Sequence, residues 1–259
     1  MIKYIHTMYQ RETVPLEHGG EKMSIYAIGD LHLSFGENKP MDIFGENWEN
    51  HAEKIKQDWI SKVNEEDTVI LSGDFSWAMK LQNTILDFQY INEMPGKKIL
   101  LKGNHDYWWT TVTSMRKFLR ENNIQNVDFL YNNSFEVENK IICGTRGWSL
   151  AGDGTEEEQK IIKREVDRLK ISIEDGISKY GTDKEIIVFL HYPPITQSNI
   201  IKNEITPFME VLKEYKIKKC YYGHLHGLAI KDAVNGNKDE IDLKLISADG
   251  VDFKLQKIF

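Results

Sequence analysis

The sequence predicts an α/β fold with one or two mixed β-sheets, because short apolar runs alternate with longer amphipathic segments and most runs stop abruptly at glycine or a polar cluster. Runs rich in Ile, Val, Leu, Tyr or Phe are typical of strands buried on both faces. A chain of 259 residues is long enough for one large α/β domain. Five central strands are predicted to run through Ile28, Ser72, Lys102, Leu190 and Tyr222.

Four amphipathic segments are predicted to be helices. The clearest of them opens with Thr155 and Glu158 in the spacing of a capping box, and its apolar residues then fall on one helical face. Pro207 directly after Thr206 suits the first position of a further helix. The four predicted helices are Ala52–Val63, Trp77–Met94, Tyr107–Glu121 and Thr155–Tyr180.

Two segments have the pattern of β-hairpins. The stretch FEVENKIICG is predicted to turn at Glu138-Asn139, and the stretch LAIKDAVNGNKDEIDLKLISAD around Asn235-Gly236-Asn237. The tail VDFKLQKIF alternates apolar and polar residues, which predicts a last strand.

Composition and charge exclude several classes of function. The net charge of −7 disfavours extended nucleic-acid binding, which needs a basic surface, but it leaves room for a small phosphate ester held by metal ions. The two cysteines, Cys143 and Cys220, each lie in an apolar run, so we expect buried thiols in a reducing compartment. No apolar stretch is long enough to span a bilayer, and we expect a cytoplasmic protein.

Residues 1–22 differ from the rest of the chain, because they show neither helical nor strand periodicity. They are interpreted as an N-terminal arm, with a single domain over residues 23–259. The codons for GGEK before Met23 are compatible with a ribosome-binding sequence, so Met23 is an alternative natural start. An ordinary disordered or docked arm is the other interpretation.

Potential metal ligands follow all five central strands, at the end where α/β sheets bind their ligands. Taken singly, each has an ordinary explanation: Asp30 and Asp74 as turn residues, Asn104 as a residue that tolerates a left-handed backbone, His191 as a core histidine. Chance explains the whole set poorly. The side chains at the strand ends are Asp30, His32, Asp74, Asn104, His105, His191, His224 and His226.

The ordered motifs GDLH, GD, GNHD, H and GHLH resemble those of the calcineurin-like metallophosphoesterase superfamily, in particular its bacterial branch of predicted phosphohydrolases. The resemblance runs from Asp30 to His226 and implies a four-layer α/β/β/α sandwich with mixed sheets and a dinuclear metal site at the carboxyl ends of the strands. It assigns the first metal to Asp30, His32 and His226, and the second to Asn104, His191 and His224. In this assignment Asp74 bridges both ions.

The resemblance also implies that His105 is not a ligand but faces the leaving group, where an imidazole can donate a proton or stabilise phosphoryl charge. Mixed nitrogen and oxygen ligands suit Mn or Fe, with Zn or Co as alternatives, better than Mg or Ca. Two such ions can clamp an in-line displacement, with a metal-bridging hydroxide as the nucleophile.

Three residues are candidate substrate contacts, each with a structural alternative. Tyr107 and Trp109 are candidates to stack on a flat leaving group, or else to anchor a helix in the core. Arg146, between two glycines, is a candidate for a bidentate phosphate contact, or else for an ordinary surface ion pair.

Together these features predict a metal-dependent phosphohydrolase acting on a small phosphate ester. A phosphodiesterase is favoured, because GNHD with Asp after His resembles the diesterase-like branches. A phosphomonoesterase is the first alternative, and a metal-binding scaffold protein without catalysis is the second. The presence of His105 favours an enzyme, since a scaffold has no need of it. The sequence gives no indication of the oligomeric state.

Overall fold

The computed structural model describes residues 23–150 and 154–259, and in these ranges eleven strands form two mixed sheets. The arm predicted over residues 1–22 lies outside them. One sheet has the order β11-β1-β2-β3-β4 and the other β5-β6-β7-β8-β10-β9. The strands are β1 Ile25–Ile28, β2 Thr68–Ser72, β3 Lys97–Leu101, β4 Val127–Leu130, β5 Phe135–Val137, β6 Lys140–Thr145, β7 Glu185–Leu190, β8 Lys219–Tyr222, β9 Gly236–Lys238, β10 Ile241–Leu245 and β11 Gln256–Lys257.

Helices cover the outer faces of the sheets. Thr155 and Glu158 form the predicted capping box of the longest helix, and Pro207 takes the first position of another behind the cap Thr206. None of the helices within the described ranges is both long and apolar enough to cross a bilayer. The helices are α1 His51–Lys62, α2 Ile85–Asn92, α3 Val112–Glu121, α4 Glu156–Tyr180, α5 Gln197–Ile201 and α6 Pro207–Glu214.

Alternation of side chains along the strands produces four layers. In β2, Val69 and Leu71 pack against the helices of the first sheet, while Ile70 points between the sheets. In β7, Val188 packs towards α4 and α6, while Phe189 meets Ile70 in the central layer. Because successive residues of a strand face opposite sides, both faces of each sheet are buried. The predicted α/β/β/α sandwich is confirmed.

The central strands of each sheet are parallel, and this places the candidate ligands at one edge. β1 pairs with β2, β2 with β3 and β3 with β4, all in parallel register. In the second sheet β6, β7, β8 and β10 are likewise parallel. The carboxyl ends of the strands therefore lie together in each sheet, and residues from both sheets can meet there.

The helix predicted over Trp77–Met94 is wrong in its first part. After β2 the chain stays extended, with a bridge between Leu33 and Ser76, and a helical turn begins only at Leu81. The indole of Trp77 stacks on His32, with ring centroids 4.8 Å apart. The apolar spacing of Trp77 therefore reflects contact with the site and not a helical face.

Two further predictions need correction. The helix predicted from Tyr107 begins at Val112, after the N-cap Thr111. The second hairpin turns at Asp239-Glu240, where both residues have positive φ, and not around Asn235-Gly236-Asn237. A two-residue turn of this kind matches the twist of the flanking strands. The tail contributes only the two-residue strand β11, antiparallel to β1.

Candidate metal centre

The predicted ligands from the two sheets meet between the carboxyl ends of their strands. Asp30, His32 and His226 offer ligand atoms that lie within 4.8 Å of one another. Asp30, Asp74 and His191 form a second such group. Asp30, Asp74 and His191 are almost completely buried, and His32 is 3% exposed. Buried charged and polar groups at this density need partners, and a metal ion is one.

In the first group, the ring nitrogens of His32 and His226 lie close to each other and to a carboxylate oxygen of Asp30. His226 Nε2 lies 3.1 Å from Asp30 Oδ1 and 3.4 Å from His32 Nε2. His226 Nδ1 lies 2.7 Å from Asp249 Oδ1, and since a carboxylate accepts, Nδ1 donates to it. In the neutral ring Nε2 then carries a lone pair, directed at the other ligand atoms. Asp249, which sequence reasoning missed, thus orients a ligand as in carboxylate–histidine–metal triads.

At the second predicted metal site, a backbone carbonyl fixes the tautomer of His191. His191 Nδ1 lies 3.0 Å from the Ser72 carbonyl oxygen, which can only accept, so Nδ1 carries the proton. His191 Nε2 lies 2.7 Å from Asn104 Oδ1, and His224 Nδ1 lies 2.9 Å from the same oxygen. With Nδ1 protonated, the neutral ring of His191 turns the lone pair of Nε2 towards the amide oxygen. Such an arrangement repels unless a cation lies between the two atoms.

Asp74, a member of the second group, also approaches His32 of the first group. Its Oδ2 is 3.7 Å from His32 Nε2 and 3.5 Å from His191 Nε2. Asp30 also approaches His191, at 3.8 Å, but on the Nδ1 side that the Ser72 carbonyl already occupies. Of the two carboxylates, Asp74 therefore has the geometry that the predicted bridging ligand requires.

The electrostatics of the buried carboxylates also indicate a cation. Burial raises the pKa of Asp74, and the charge on Asp30 raises it further. Burial also opposes charge on Asp30, but His226 outweighs it and lowers the pKa of that carboxyl. Burial opposes charge on His226 too, yet Asp30 and Asp249 raise the pKa of His226 to about 10. At neutral pH the raised pKa values leave one proton on Asp74 and an additional one on His226, at positions where metal ions would displace them.

The imidazoles of His191 and His224 are suited to bind metal, because a histidine binds a metal ion only through a neutral ring. Burial lowers the pKa of His191, and it also lowers that of His224, to about 3, with His191 as the next cause. Burial likewise lowers the pKa of His32 well below its usual value. The donor set of carboxylates, imidazoles and one amide therefore fits two borderline transition-metal ions.

Four of the seven predicted ligand residues have a left-handed backbone. Asp30, His32, Asp74 and His224 have φ between 46° and 74°. For residues other than glycine this conformation costs about 1–3 kcal/mol each, and residues that adopt it cluster at functional sites as well as in turns. The loops after β1 and β2 hold it in place, since Asp30 N donates to the Gly73 carbonyl and His32 N to the Asp74 carbonyl.

The lack of a side chain at Gly103 leaves room for the carboxylate of Asp74, the predicted bridging ligand. A Cβ atom at position 103 would lie 2.1 Å from Asp74 Oδ1 and 2.2 Å from its backbone nitrogen, so Gly103→Ala must displace the backbone. We expect a lower melting temperature, equivalent to a loss of about 1–3 kcal/mol, together with weaker metal binding. Gly29→Ala is the control, because its Cβ would meet nothing closer than 3.4 Å. Equal behaviour of the two variants would contradict this account.

Asp249 is expected to act on only one of the two metals. Asp249→Asn removes the carboxylate that receives the His226 Nδ1 proton, and changes at such positions typically cost 10–100-fold in metal affinity. We expect a loss of about that size at one site and none at the other, measured by competition with a chelating dye. Asp252→Asn is the control, since the exposed Asp252 pairs with Lys254. An equal loss at both sites would refute this role.

His105 lies beside the ligands without joining either group. Its ring centroid is 4.5 Å from that of Trp77 and 5.7 Å from that of His32. Its backbone N–H donates to Asp74 Oδ1 at 2.7 Å, so the loop that carries His105 is anchored on the centre. The pKa of His105 is lowered, chiefly by burial and then by His191. A neutral imidazole still has one N–H to donate.

Asp106 neither orients His105 nor caps the next helix. Its carboxylate accepts hydrogen bonds from the backbone N–H groups of Gly103 and Phe75, at 2.7 and 2.9 Å, and from Trp108 Nε1 at 2.9 Å. Asp106 thereby ties the loop after β3 to the loop after β2. Its role is to hold the two ligand-bearing loops together.

The three candidate substrate contacts lie in different surroundings. Tyr107 is 57% exposed and approaches His105 edge-on. Trp109 is buried and packs on Phe129 at a centroid distance of 5.2 Å, which is the position of a core anchor. Arg146 stands over the ring of Trp148 at 4.6 Å and lines a separate cavity. Only Tyr107 of the three borders His105.

The aromatic residues at the mouth of the centre are ones that sequence reasoning missed. A cavity of about 300 Å³ is lined by His32, His105 and His226 and by apolar side chains. The ammonium of Lys39 lies 4.4 Å above the ring of Trp77 at this mouth. These aromatic residues cluster in space but belong to different segments of the chain, so the sequence shows no periodic pattern that would group them. The apolar lining consists of Met41, Phe44, Trp48 and Trp77.

Comparisons with known proteins bear on the fold and the family. The structure is similar to that of the phosphopantetheinyl hydrolase of Mycobacterium tuberculosis, with a TM-score of 0.54, 12% identity and coverage of 92% of this chain and 96% of that one. It is also similar to TT1561 of Thermus thermophilus, with a TM-score of 0.52, 12% identity and coverage of 92% and 98%. At 12% sequence identity, this similarity is evidence for a shared fold alone.

A curated relative matches part of the sequence. The Gene 66 protein of Mycobacterium phage L5 is 34% identical over 79 residues, which are 30% of this chain and 37% of the relative. The profile of the calcineurin-like phosphoesterase family matches residues 23–228, a range that covers most of the chain and contains the positions of all seven predicted ligands. The resemblance inferred from the motifs is confirmed: this chain belongs to the calcineurin-like phosphoesterase family.

Proposed function

We propose that the protein is a dinuclear metal-dependent phosphohydrolase that cleaves a small phosphate ester, with diesters preferred. One observation carries the proposal: ring nitrogens of histidines from both sheets converge on the oxygens of Asp30, Asp74 and Asn104, an arrangement that two cations between them would stabilise. Family membership supports the same activity.

Asp30, His32 and His226 would hold one ion, and Asn104, His191 and His224 the other, with Asp74 shared. When bound, such a pair supplies Lewis acidity and lowers the pKa of water at the site. The donor set favours Mn or Fe, with Zn or Co also compatible. The chain itself fixes the ligands through the Ser72 carbonyl and Asp249, which hold the imidazoles of His191 and His226 in one tautomer.

His105 is proposed to act on the leaving group. It lines the cavity at the centre and contacts no candidate ligand through its ring nitrogens among the described residues. From that position its imidazole can donate a hydrogen bond or a proton to the departing oxygen. The anchoring of its backbone on Asp74 keeps the ring at a constant position relative to the centre.

The aromatic mouth is proposed to hold the organic part of the substrate. Trp77 and Trp48 flank the imidazoles of His32 and His226, and Phe44 is 61% exposed, so a flat group can stack there. Room for an organic group beside the phosphate suits a phosphate ester. Buried free thiols at Cys143 and Cys220 fit the proposed cytoplasmic location.

A panel of substrates tests the proposal. The protein reconstituted with Mn²⁺ is assayed with p-nitrophenyl phosphate, bis-p-nitrophenyl phosphate, cyclic nucleotides and nucleotides. Faster hydrolysis of the diesters supports the diesterase, and faster hydrolysis of the monoesters supports the phosphomonoesterase instead. Stoichiometric metal binding with no hydrolysis of any ester would support the scaffold and refute the enzyme.

A further inference from the structure

A second cavity lies at the carboxyl ends of β3, β4 and β6, and its lining is strongly basic. It measures about 190 Å³, and the side chains of Lys102, Arg146, Arg164 and Arg168 face it together with one carboxylate, Glu165. Four cations around one carboxylate are unexpected on a chain of net charge −7. Like charges held together repel one another, so a concentration of this kind indicates an anionic ligand.

The carboxylate of Glu165 does not neutralise all of the positive charge around the cavity. Glu165 is fully buried and is satisfied by Arg168 Nη1 at 2.6 Å and by the Thr145 hydroxyl at 2.8 Å. Arg168 contacts Oε1 of Glu165, and Arg146 Nη2 and Arg164 Nε approach this oxygen only to 3.5 and 3.8 Å. One arginine is therefore committed to Glu165, while two others are only loosely paired with it.

Donors in the cavity are left without partners. Within the described ranges, the ammonium of Lys102 makes no hydrogen bond or ion pair, and Arg146 Nε is buried without a hydrogen-bond partner. A buried donor without a partner destabilises the folded state, and a bound anion would supply the missing acceptor.

Residues that line this cavity are linked to candidate metal ligands, either by their proximity in the chain or by backbone hydrogen bonds. Lys102 precedes the ligand Asn104 by two residues. The carbonyl of Arg146 accepts hydrogen bonds from the backbone N–H groups of the ligand His191 and of Tyr192, at 3.2 and 2.9 Å. Both sites therefore lie along the same edge of the sandwich, formed by carboxyl ends of neighbouring strands.

We propose that this basic cavity binds a second anionic group of the substrate, a phosphate or sulfate remote from the scissile ester. The inference rests on the proposed phosphohydrolase function and narrows its substrate class to esters with two anionic groups. The cavity is too small for a whole organic ligand, whose pockets measure about 300–1,000 Å³, but it suits one tetrahedral anion. Arginine side chains recognise such anions with two parallel hydrogen bonds.

The first experiment measures anion binding without turnover. Inorganic sulfate is titrated into metal-free protein by calorimetry, with the wild type and the variants Lys102→Met and Arg164→Gln. Arg116→Gln is the matched control, because Arg116 pairs with Asp128 outside the cavity and its loss changes the net charge equally. We expect sulfate affinity to fall at least about tenfold in the cavity variants only. Unchanged binding in Lys102→Met would overturn the proposal.

The second experiment shows whether the anion belongs to the substrate. Bisphosphonates with alkyl spacers of increasing length are titrated into the Mn²⁺-loaded protein and compared with alkylphosphonates of the same length. At one spacer length the bisphosphonate should bind at least about tenfold more tightly than the alkylphosphonate of the same length. Lys102→Met should abolish this gain in affinity. No gain at any length refutes the cavity proposal alone. A gain without hydrolysis of any ester refutes the proposed function alone.

Discussion

Replacing Asp74 by asparagine is expected to weaken both metal ions together, by more than the 10–100-fold typical of residues that only orient a ligand. One oxygen of Asp74 lies 3.7 Å from His32 and 3.5 Å from His191, so its charge is shared by the two proposed sites. His32→Ala, in contrast, should weaken mainly one ion. Metal titration followed by elemental analysis measures both effects, and hydrolysis should fall with the loss of metal.

Stability separates metal loss from misfolding in this variant. Burial and Asp30 both raise the pKa of Asp74, so its ionised form is unfavourable in metal-free protein at neutral pH. The asparagine side chain carries no charge, and metal-free Asp74→Asn should therefore melt no lower than the metal-free wild type. Asp67→Asn is the control: Asp67 is buried at the other end of β2, where it accepts from Ser24 N and Asn64 N. Two ions bound to Asp74→Asn with wild-type affinity would disprove the bridging role.

Replacing His105 by alanine is expected to reduce hydrolysis about 10²–10⁴-fold while the metal content stays near that of the wild type. The ring of His105 lines the cavity and contributes no atom to either ligand group. If the ring donates a proton, esters with alkoxide leaving groups should lose most, and p-nitrophenyl esters, whose leaving group needs no proton, should lose least. An equal loss for both would assign His105 to stabilisation of phosphoryl charge.

The control for this variant is His51→Ala, a second partly buried histidine near the site. Its Nε2 donates to the Leu31 carbonyl at 3.1 Å, so its role is structural and its loss should affect stability more than turnover. If His105→Ala hydrolyses esters as fast as the wild type, His105 takes no part in the reaction. A parallel loss of metal would instead make His105 a ligand, against the geometry described above.

The positions of the ligands were predictable because strand ends are visible in the sequence. Asp30, Asp74 and His191 follow apolar runs at once, and parallel strands bring their carboxyl ends to one edge. Residues that act through those ligands were not predictable in the same way. Asp249 begins a short helical turn after β10, and no spacing relates it to His226 before the chain is folded.

Side chains that line the two cavities were also outside the reach of sequence patterns. Trp77 has the spacing of a helical core residue, yet it lies on an extended segment beside His32. Lys102, Arg146 and Arg164 come from three separate elements, and each alone looks like a surface cation. Periodicity reports local structure, whereas these groupings arise from tertiary packing of distant segments.

The assembly of the centre from both sheets has a consequence for when the metals can be acquired. Asp30 and His226, whose side chains lie 3.1 Å apart, are separated by 196 positions in the chain. At synthesis rates of about 5–20 residues per second, the ribosome adds His226 roughly 10–40 s after Asp30. During that interval the nascent carboxylates lack the imidazole of His226. The first proposed metal site is therefore complete only after synthesis has passed His226.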